Sequence, residues 1–131
     1  MPPNAFSTAL TKLRERRGLS GREFSKLAKV DHAYESRLES GEKENPSDDT
    51  LDKLLRGLKL KASDRDAQIL RYTANYPQTW VEFVTYVLNE PSVTIVEFTM
   101  GAGTVNRGKA SSPPLIIERV RKALEEFPES E

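Results

Sequence analysis

The apolar positions near the start of the chain recur at the spacing of α-helices. A stripe at this spacing over residues 5–17 consists of Phe6, Ala9, Leu10 and Leu13. Gly18 follows the stripe and predicts the end of the first helix. A second helix is predicted over residues 20–28, because its first four residues form the Ser-x-x-Glu pattern of a capping box. A third helix lies between an aspartate cap and a glycine stop over residues 31–41.

The same spacing predicts further helices in the middle of the chain. A fourth helix begins after Ser47 and a fifth near Ser63, so that five helices occupy residues 1–75. Residues 79–88, TWVEFVTYVL, predict a sixth helix, and Thr79 with Glu82 forms a capping box at its start.

The C-terminal part contains one ambiguous element. Residues 93–98, VTIVEF, have the β-branched content of a strand, whereas Thr94 and Glu97 have the spacing of a capped helix. A short helix is favoured because no partner strand is predicted nearby. Residues 101–114 predict a loop, and a last helix begins near Pro113. The apolar side of this helix consists of Ile116, Ile117, Val120, Ala123, Leu124 and Phe127.

An ordered set of residues runs through the first four helices. It comprises a basic first helix ending in Gly, a capped second helix, a turn ending in Val, a third helix ending in Glu-x-Gly, an Asn-Pro-Ser linker and a Leu-rich fourth helix. The residues in these places are Gly18, Ser20, Val30, Leu38, Glu39, Gly41, Asn45, Pro46, Ser47, Leu51 and Leu54. Residues 10–60 thereby resemble the lambda-repressor-like, Cro-type (xenobiotic-response-element) helix-turn-helix family. The resemblance implies an all-α fold, with a DNA-binding domain over residues 1–75 and a helical C-terminal region over residues 76–131.

The resemblance also implies which residues contact double-stranded DNA. The third helix would lie in the major groove, with His32, Ala33, Ser36 and Arg37 facing the bases. The backbone N–H groups of Gly21 and Arg22 would hold a phosphate. The other expected DNA-binding residues are Ser20, Lys29, Tyr34, Ser40 and Lys43. The alternative for the charged side chains and His32 is a surface position without a partner, and for Tyr34 it is packing in the core. In such proteins Arg14 and Glu39 would form a structural pair.

Glu35 departs from the family pattern, which usually has an apolar residue at this position. A buried carboxylate without a partner costs several kcal/mol, or stays protonated with a raised pKa. Three outcomes are open. The helix rotates so that Tyr34 fills the core and Glu35 reaches water, or Glu35 pairs with Arg22, Lys26 or Lys29, or the site is strained and the helix is loosely docked. The first two together are favoured.

Composition narrows the class of protein. The 131 residues include no Cys and one His, which argues against a disulfide framework, a thiolate metal site and most histidine-based catalysis. No cofactor is expected, and no nucleophile with a base and an orienting group is evident, so an enzyme is not predicted. The absence of a long apolar run predicts a cytoplasmic protein that does not span a membrane.

One motif imitates a nucleotide-binding loop. Residues 103–110, GTVNRGKA, nearly match GxxxxGK[ST], but Ala110 occupies the place of the hydroxyl that holds Mg²⁺. Too few residues follow Lys109 to build the parallel sheet that such a loop requires. A flexible linker explains the segment more simply.

Charge is unevenly distributed along the chain, and two functions remain open. Residues 1–62 hold 13 Lys/Arg and 10 Asp/Glu, whereas residues 63–131 hold 7 and 10. The basic front favours a polyanion partner, and the favoured function is a sequence-specific transcriptional regulator that binds DNA as a homodimer through its C-terminal helices. The alternative is an antitoxin-like or adaptor module whose acidic C-terminal half binds a protein. The sequence supports it through the acidic GEKEN loop and through Gly21, which replaces the phosphate-holding Gln common in the family.

Overall fold

A computed structural model describes residues 3–104 and 112–126, which form eight α-helices and no strand. The helices are α1 (Ala5–Arg16), α2 (Gly21–Ala28), α3 (His32–Ser40), α4 (Asp48–Gly57), α5 (Arg65–Asn75), α6 (Val81–Leu88), α7 (Ile95–Thr104) and α8 (Pro113–Glu126). The predicted all-α fold is confirmed. The chain divides into two compact units, Met1–Gln78 and Thr79–Glu131.

Local capping explains where α2 begins. The backbone N–H of Ser20 donates to Glu23 Oε1 at 2.8 Å, and the backbone N–H of Glu23 donates to Ser20 Oγ at 3.1 Å. Both halves of the predicted capping box are therefore present, and they satisfy two donors that the first turn of a helix leaves without partners.

A tight turn joins α2 to α3. Lys29 adopts the left-handed conformation with φ of 61°, and the N–H of Val30 donates to the carbonyl of Ser25 at 3.0 Å. Asp31 then caps α3 by accepting the N–H of Tyr34 at 3.1 Å, and Gly41 ends α3 with φ of 88°. Two short helices joined by three residues form the predicted helix-turn-helix.

The core of the Met1–Gln78 unit lies among all five of its helices. α1 packs against α3 and α5, while α2 packs against α3 and α4. The largest fully buried side chains here are Phe6, Leu10, Phe24, Leu38, Leu51, Leu54, Leu58, Ile69 and Leu70. Gly57 allows the close approach of α2 and α4, because a Cβ on this residue would lie 3.0 Å from Ala28 Cβ and 3.0 Å from Phe24 Cε1.

The Thr79–Glu131 unit consists of α6, α7 and α8, and both α6 and α7 pack against α8. Phe83 of α6 stacks on Phe98 of α7 with ring centroids 5.7 Å apart. Within residues 93–98 the favoured short helix is present, because α7 begins at Ile95 after a cap at Thr94. The N–H of Glu97 donates to Thr94 Oγ1 and the N–H of Thr94 to Glu97 Oε1, both at 3.0 Å. This prediction is confirmed.

The boundaries differ from the sequence prediction at three places. α7 continues to Thr104, so the loop predicted over residues 101–114 is wrong for residues 101–104. Gly101 explains the error, because a Cβ there would lie 2.6 Å from Phe83 Cζ: this glycine serves helix packing rather than a turn. The N-caps of α5 and α6 are Asp64 and Trp80, each one residue beyond the predicted cap.

Three predictions fall wholly or partly on residues that the structure does not describe. The phosphate-loop imitation over residues 103–110 lies outside the described residues from position 105 onward, and so does the rest of the predicted loop up to residue 111. Phe127 also lies outside them. The start of the last helix at Pro113 is confirmed.

No helix in the described part of the chain is both long enough and apolar enough to cross a bilayer.

A pair of glycine substitutions tests the packing of α2 against α4. Gly57→Ala should lower the free energy of unfolding by about 1–3 kcal/mol, because the new methyl overlaps Ala28 and Phe24. Gly21→Ala is the matched control, since its Cβ would lie no closer than 3.4 Å to any neighbour, and its stability should stay within about 0.5 kcal/mol of the wild type. Urea unfolding monitored by circular dichroism measures both, and equal stabilities for the two variants would contradict the predicted overlap.

Candidate nucleic-acid interface

One face of α3 is open to solvent. Ala33, Ser36, Arg37 and Ser40 are all exposed, and their spacing places them on a single side of the helix. Leu38 and Glu35 are buried on the opposite side, with exposed fractions of 0% and 1%. His32 and Tyr34 are half-buried. All six expected DNA contacts on α3 are therefore at least partly exposed: His32, Ala33, Tyr34, Ser36, Arg37 and Ser40.

The start of α2 provides the second part of the candidate interface. Ser20 and Arg22 are exposed and Gly21 is half-buried. The cap occupies the N–H of Glu23, which leaves the N–H groups of Gly21 and Arg22 directed out of the first turn. Such a turn attracts an anion such as a phosphate. The carboxylate of Glu23 opposes this attraction, because hydrogen bonds from Ser20 keep its pKa below the usual value and therefore keep it charged.

The loop after α3 folds back onto the last turn of that helix. The N–H of Lys43 donates to the carbonyl of Arg37 at 3.1 Å, and Ser40 Oγ donates to the same carbonyl at 3.1 Å. Arg37 Nε lies 4.0 Å from Glu42 Oε2, and both side chains are more than half exposed. This distant exposed pair contributes little to stability and leaves Arg37 available to another acceptor.

Lys29 occupies the turn between α2 and α3. It is exposed and left-handed, and Lys43, at the far end of α3, is exposed as well. Each end of α3 therefore has an exposed cation next to it in the chain, as a helix flanked by two phosphates would require.

Behind α3, Arg14 joins three elements of the domain. Its Nε donates to Glu39 Oε2 at 2.7 Å and its Nη2 to Glu39 Oε1 at 3.0 Å, while its Nη1 donates to the carbonyl of Leu19 at 2.6 Å. Thr11 Oγ1 also donates to Glu39 Oε1 at 3.0 Å. The expected partners Arg14 and Glu39 thus form a bidentate ion pair that connects α1, the residue before the α2 cap, and α3.

Sequence reasoning did not identify Thr11 and the Leu19 carbonyl as parts of this network. Thr11 precedes Arg14 by three residues on α1, so the spacing places the two side chains on one face. This spacing could have identified Thr11 from the sequence. The Leu19 carbonyl had no signal, because backbone acceptors are not visible in a sequence pattern.

Glu35 does not behave as the favoured interpretations predicted. Its exposed fraction is 1%, so it does not reach water, and Tyr34 does not replace it in the core. Among the described residues no ion pair joins it to Arg22, Lys26 or Lys29, and its buried Oε2 receives no hydrogen bond from an N–H or O–H donor. Both favoured interpretations are therefore wrong, because the neighbouring acidic group is Glu39 and the neighbouring cation, Arg14, is already bound to Glu39.

Of the two neighbouring carboxyl groups, Glu35 and Glu39, only one carries a negative charge at neutral pH. Burial, followed by the hydrogen bond and the charge of Glu39, raises the pKa of Glu35 to about 9, against the weaker effect of Arg14. Burial also acts to raise the pKa of Glu39, but hydrogen bonds from Glu35, Arg14 and Thr11 outweigh it and hold that pKa below its usual value. At neutral pH Glu35 is therefore neutral and can donate its proton to the Glu39 carboxylate.

Glu35 and His32 both lie close to Gly21 at the start of α2. A Cβ on Gly21 would lie 3.4 Å from His32 Cε1 and 3.6 Å from Glu35 Oε1. The imidazole of His32 thus rests beside the first turn of α2, with its Nδ1 buried and without a hydrogen-bond partner in the described part of the chain. His32 also lines a groove together with Arg22, Glu23, Ser25 and Lys26.

Comparison with known proteins finds a match for the N-terminal part of the chain. Residues 5–68 match the model of a family described as a helix-turn-helix domain. This match supports a DNA-binding helix-turn-helix family and does not distinguish the Cro-type members. No curated protein and no solved structure matches the chain.

The buried proton predicts how stability depends on pH. The folded pKa of Glu35, about 9, lies above the usual 4.5, so the folded state keeps a proton that the unfolded chain releases. The stabilising effect of that proton is complete below about pH 4.5 and is lost as pH rises towards about 9. Between about pH 5.5 and pH 8 the free energy of unfolding should fall by about 3 kcal/mol in the wild type and much less in Glu35→Gln.

Urea unfolding across this pH range measures the effect. Glu23→Gln is the control, because the pKa of Glu23 is lowered rather than raised, so that its contribution is lost only under more acidic conditions. It should therefore keep the wild-type slope. Parallel slopes for the wild type and Glu35→Gln would contradict the neutral, buried carboxyl.

Proposed function

Residues 5–68 form a helix-turn-helix domain, and from this premise we propose that the protein is a sequence-specific transcriptional regulator of the Cro type, which binds a palindromic operator as a homodimer. The helix α3 lies in the major groove of each half-site, and α2 crosses the backbone beside it.

The observation that carries this proposal is the division of α3 into two faces. Its inner face is fixed by Leu38 and by the ion pair of Glu39 with Arg14, whereas Ala33, Ser36, Arg37 and Ser40 are exposed together. A helix of nine residues is not stable alone in water, so these inner contacts hold the exposed face in a defined orientation.

Each exposed residue suits a particular contact with DNA. Arg37 carries the donor fork that fits the O6 and N7 acceptors of guanine, and Ala33 can contact the methyl group of thymine. His32 reaches the major groove from the first turn of α3, and Ser36 can donate to or accept from a base edge. Tyr34 and Ser40 lie at the rim of this face and contact the backbone.

Phosphate contacts come from the residues around α3. The N–H groups of Gly21 and Arg22, with the Ser20 hydroxyl beside them, hold one phosphate at the start of α2. Lys29 and Lys43 hold phosphates at the two ends of α3. The nearby carboxylates of Glu23 and Glu42 weaken these contacts, so one domain binds weakly and two half-sites are needed for useful affinity.

The proposed dimer requires an apolar contact surface on the Thr79–Glu131 unit. The apolar sides of α6 and α8 are used within this unit: Phe83, Val84, Val87 and Leu88 are buried, as are Ile116, Ile117 and Val120. Among the described residues of this unit, the large apolar side chains that stay exposed are Val96 and Met100, one turn apart on α7, and Leu115 on α8. They support either the dimer or the alternative, a surface that binds a protein partner. Sedimentation velocity of the purified chain at micromolar concentration decides between them. A dimer supports the first alternative, whereas a monomer means that this surface is available to bind a different protein.

A DNA titration tests the function itself. A fluorescein-labelled random duplex should bind at about 50 mM salt, and the affinity should fall on the order of tenfold to a hundredfold at about 200 mM, as expected for a few phosphate contacts. Fluorescence anisotropy measures both affinities. Absence of binding at the lower salt concentration would exclude the DNA-binding function and leave the protein-interaction module.

Single substitutions separate base contacts from backbone contacts. Arg37→Ala should lose about 1–3 kcal/mol of discrimination at one or two base pairs of an operator selected from a random duplex library. Lys43→Ala should weaken binding to all sequences alike and reduce the salt slope by about 1. Arg56→Ala is the control, because Arg56 is an exposed arginine on α4, outside both α2 and α3, and this change should leave the base preference intact. An Arg37→Ala protein with unchanged base preferences would remove Arg37 from the proposed contacts.

A further inference from the structure

Glu35 lies directly behind the place where α2 would hold a phosphate. Its exposed fraction is 1%, and its Oε1 is 3.6 Å from the position that a Cβ of Gly21 would occupy. Since Gly21 has no side chain, its backbone at the first turn of α2 approaches this carboxyl group closely. The helix-turn-helix thus contains an acidic group beneath a surface that would receive an anion.

The charged and titratable groups around Glu35 come from three helices. Arg14 on α1 and Glu39 on its own helix are the two that act on its ionisation, with opposite signs. His32, one turn before it on α3, rests beside Gly21, and the exposed groups Arg22, Glu23 and Lys26 of α2 line the groove beside this imidazole. The guanidinium of Arg14 is occupied by Glu39 and by the Leu19 carbonyl, so it cannot also neutralise Glu35.

We propose that Glu35 is a positioning residue whose neutral carboxyl allows the start of α2 to hold a DNA phosphate, so that protonation of this one side chain and DNA binding favour each other. This inference rests on the proposed function and adds to it a dependence of DNA binding on the protonation of Glu35. A neutral Glu35 places no second negative charge beside Glu39, whose ion pair with Arg14 holds α3 against α1. An ionised Glu35 places a second carboxylate against Glu39 and a negative charge beneath the phosphate, and both effects oppose binding.

The direction of the pH effect follows from linkage. The phosphate disfavours the charged form of Glu35, so binding should raise the pKa of this carboxyl further, and the complex should take up a proton near the pKa of the free protein. The affinity for DNA should therefore fall as pH rises through this pKa. A loss on the order of tenfold is expected for like charges separated by one peptide unit in a partly hydrated site.

The first experiment compares affinities across pH. A short fluorescein-labelled random duplex is titrated with the wild type, Glu35→Gln and Glu15→Gln between about pH 6.5 and pH 9.5 at constant ionic strength. Effects of pH that do not involve Glu35 are common to all three proteins. The wild type and Glu15→Gln, which changes an exposed carboxylate on α1, should lose on the order of tenfold more affinity than Glu35→Gln over this range. Identical profiles for all three proteins would overturn the proposal.

The second experiment needs only the wild type and so does not depend on the folding of a variant. The side-chain carboxyl carbon of Glu35 is followed by ¹³C NMR through a pH titration, with and without saturating duplex. The titration midpoint should lie well above that of an ordinary glutamate in the free protein and should move higher in the complex. A midpoint that does not move while the duplex binds would overturn the inference and leave the DNA-binding function intact. Failure of the wild type to bind duplex at low salt and about pH 6.5 would overturn both.

Discussion

The inner face of α3 carries two carboxyl groups and has one cation with which to neutralise them. Arg14 directs its guanidinium to Glu39 and to the Leu19 carbonyl, and Thr11 adds a third donor to Glu39. Glu35 receives no such donor and is almost completely buried, so it can be accommodated only with a proton. The orientation of α3, and therefore the identity of the residues that it exposes, depends on this arrangement.

A polar anchor of this kind has a different effect from an apolar one. The bidentate contact of Arg14 with both oxygens of Glu39 fixes distances and angles, whereas an apolar residue would form no hydrogen bond there. Buried ion pairs are weak evidence for added stability, because desolvation offsets most of the attraction, but loss of Arg14 would leave buried charge uncompensated and cost several kcal/mol. The cluster therefore contributes more to the geometry of the interface than to the total stability of the domain.

Local signals in the sequence predicted most of the helices, because caps act within a few residues. The capping box at Ser20 and the aspartate cap at Asp31 depend only on neighbouring residues, and both have the predicted hydrogen bonds. The predictions that failed required knowledge of distant neighbours. Gly101 was interpreted as a loop residue although it lies in a helix against Phe83, and no sequence pattern shows that contact.

The candidate site illustrates the same limit more sharply. The exposed positions of α3 follow from helical periodicity, and the pairing of Arg14 with Glu39 was expected from the family resemblance. The buried, protonated state of Glu35 could not be predicted in the same way. It depends on how many hydrogen-bond donors of Arg14 remain once Glu39 and the Leu19 carbonyl are bound. That number is a property of the folded network and not of any one helix.

The proton on Glu35 also changes the charge balance of the proposed interface. Residues 20–44, which span α2, α3 and the loop after them, contain five Lys/Arg and six Asp/Glu, so the sequence alone gives this segment a net charge of −1. A neutral Glu35 removes one negative charge, and Arg14 from α1 compensates that of Glu39. The segment together with Arg14 then carries +1, the sign that association with a polyanion requires. With so small an excess of positive charge, binding depends on contacts with a few phosphates rather than on general attraction to DNA. A weakly charged domain of this kind can still select a site when two copies bind together.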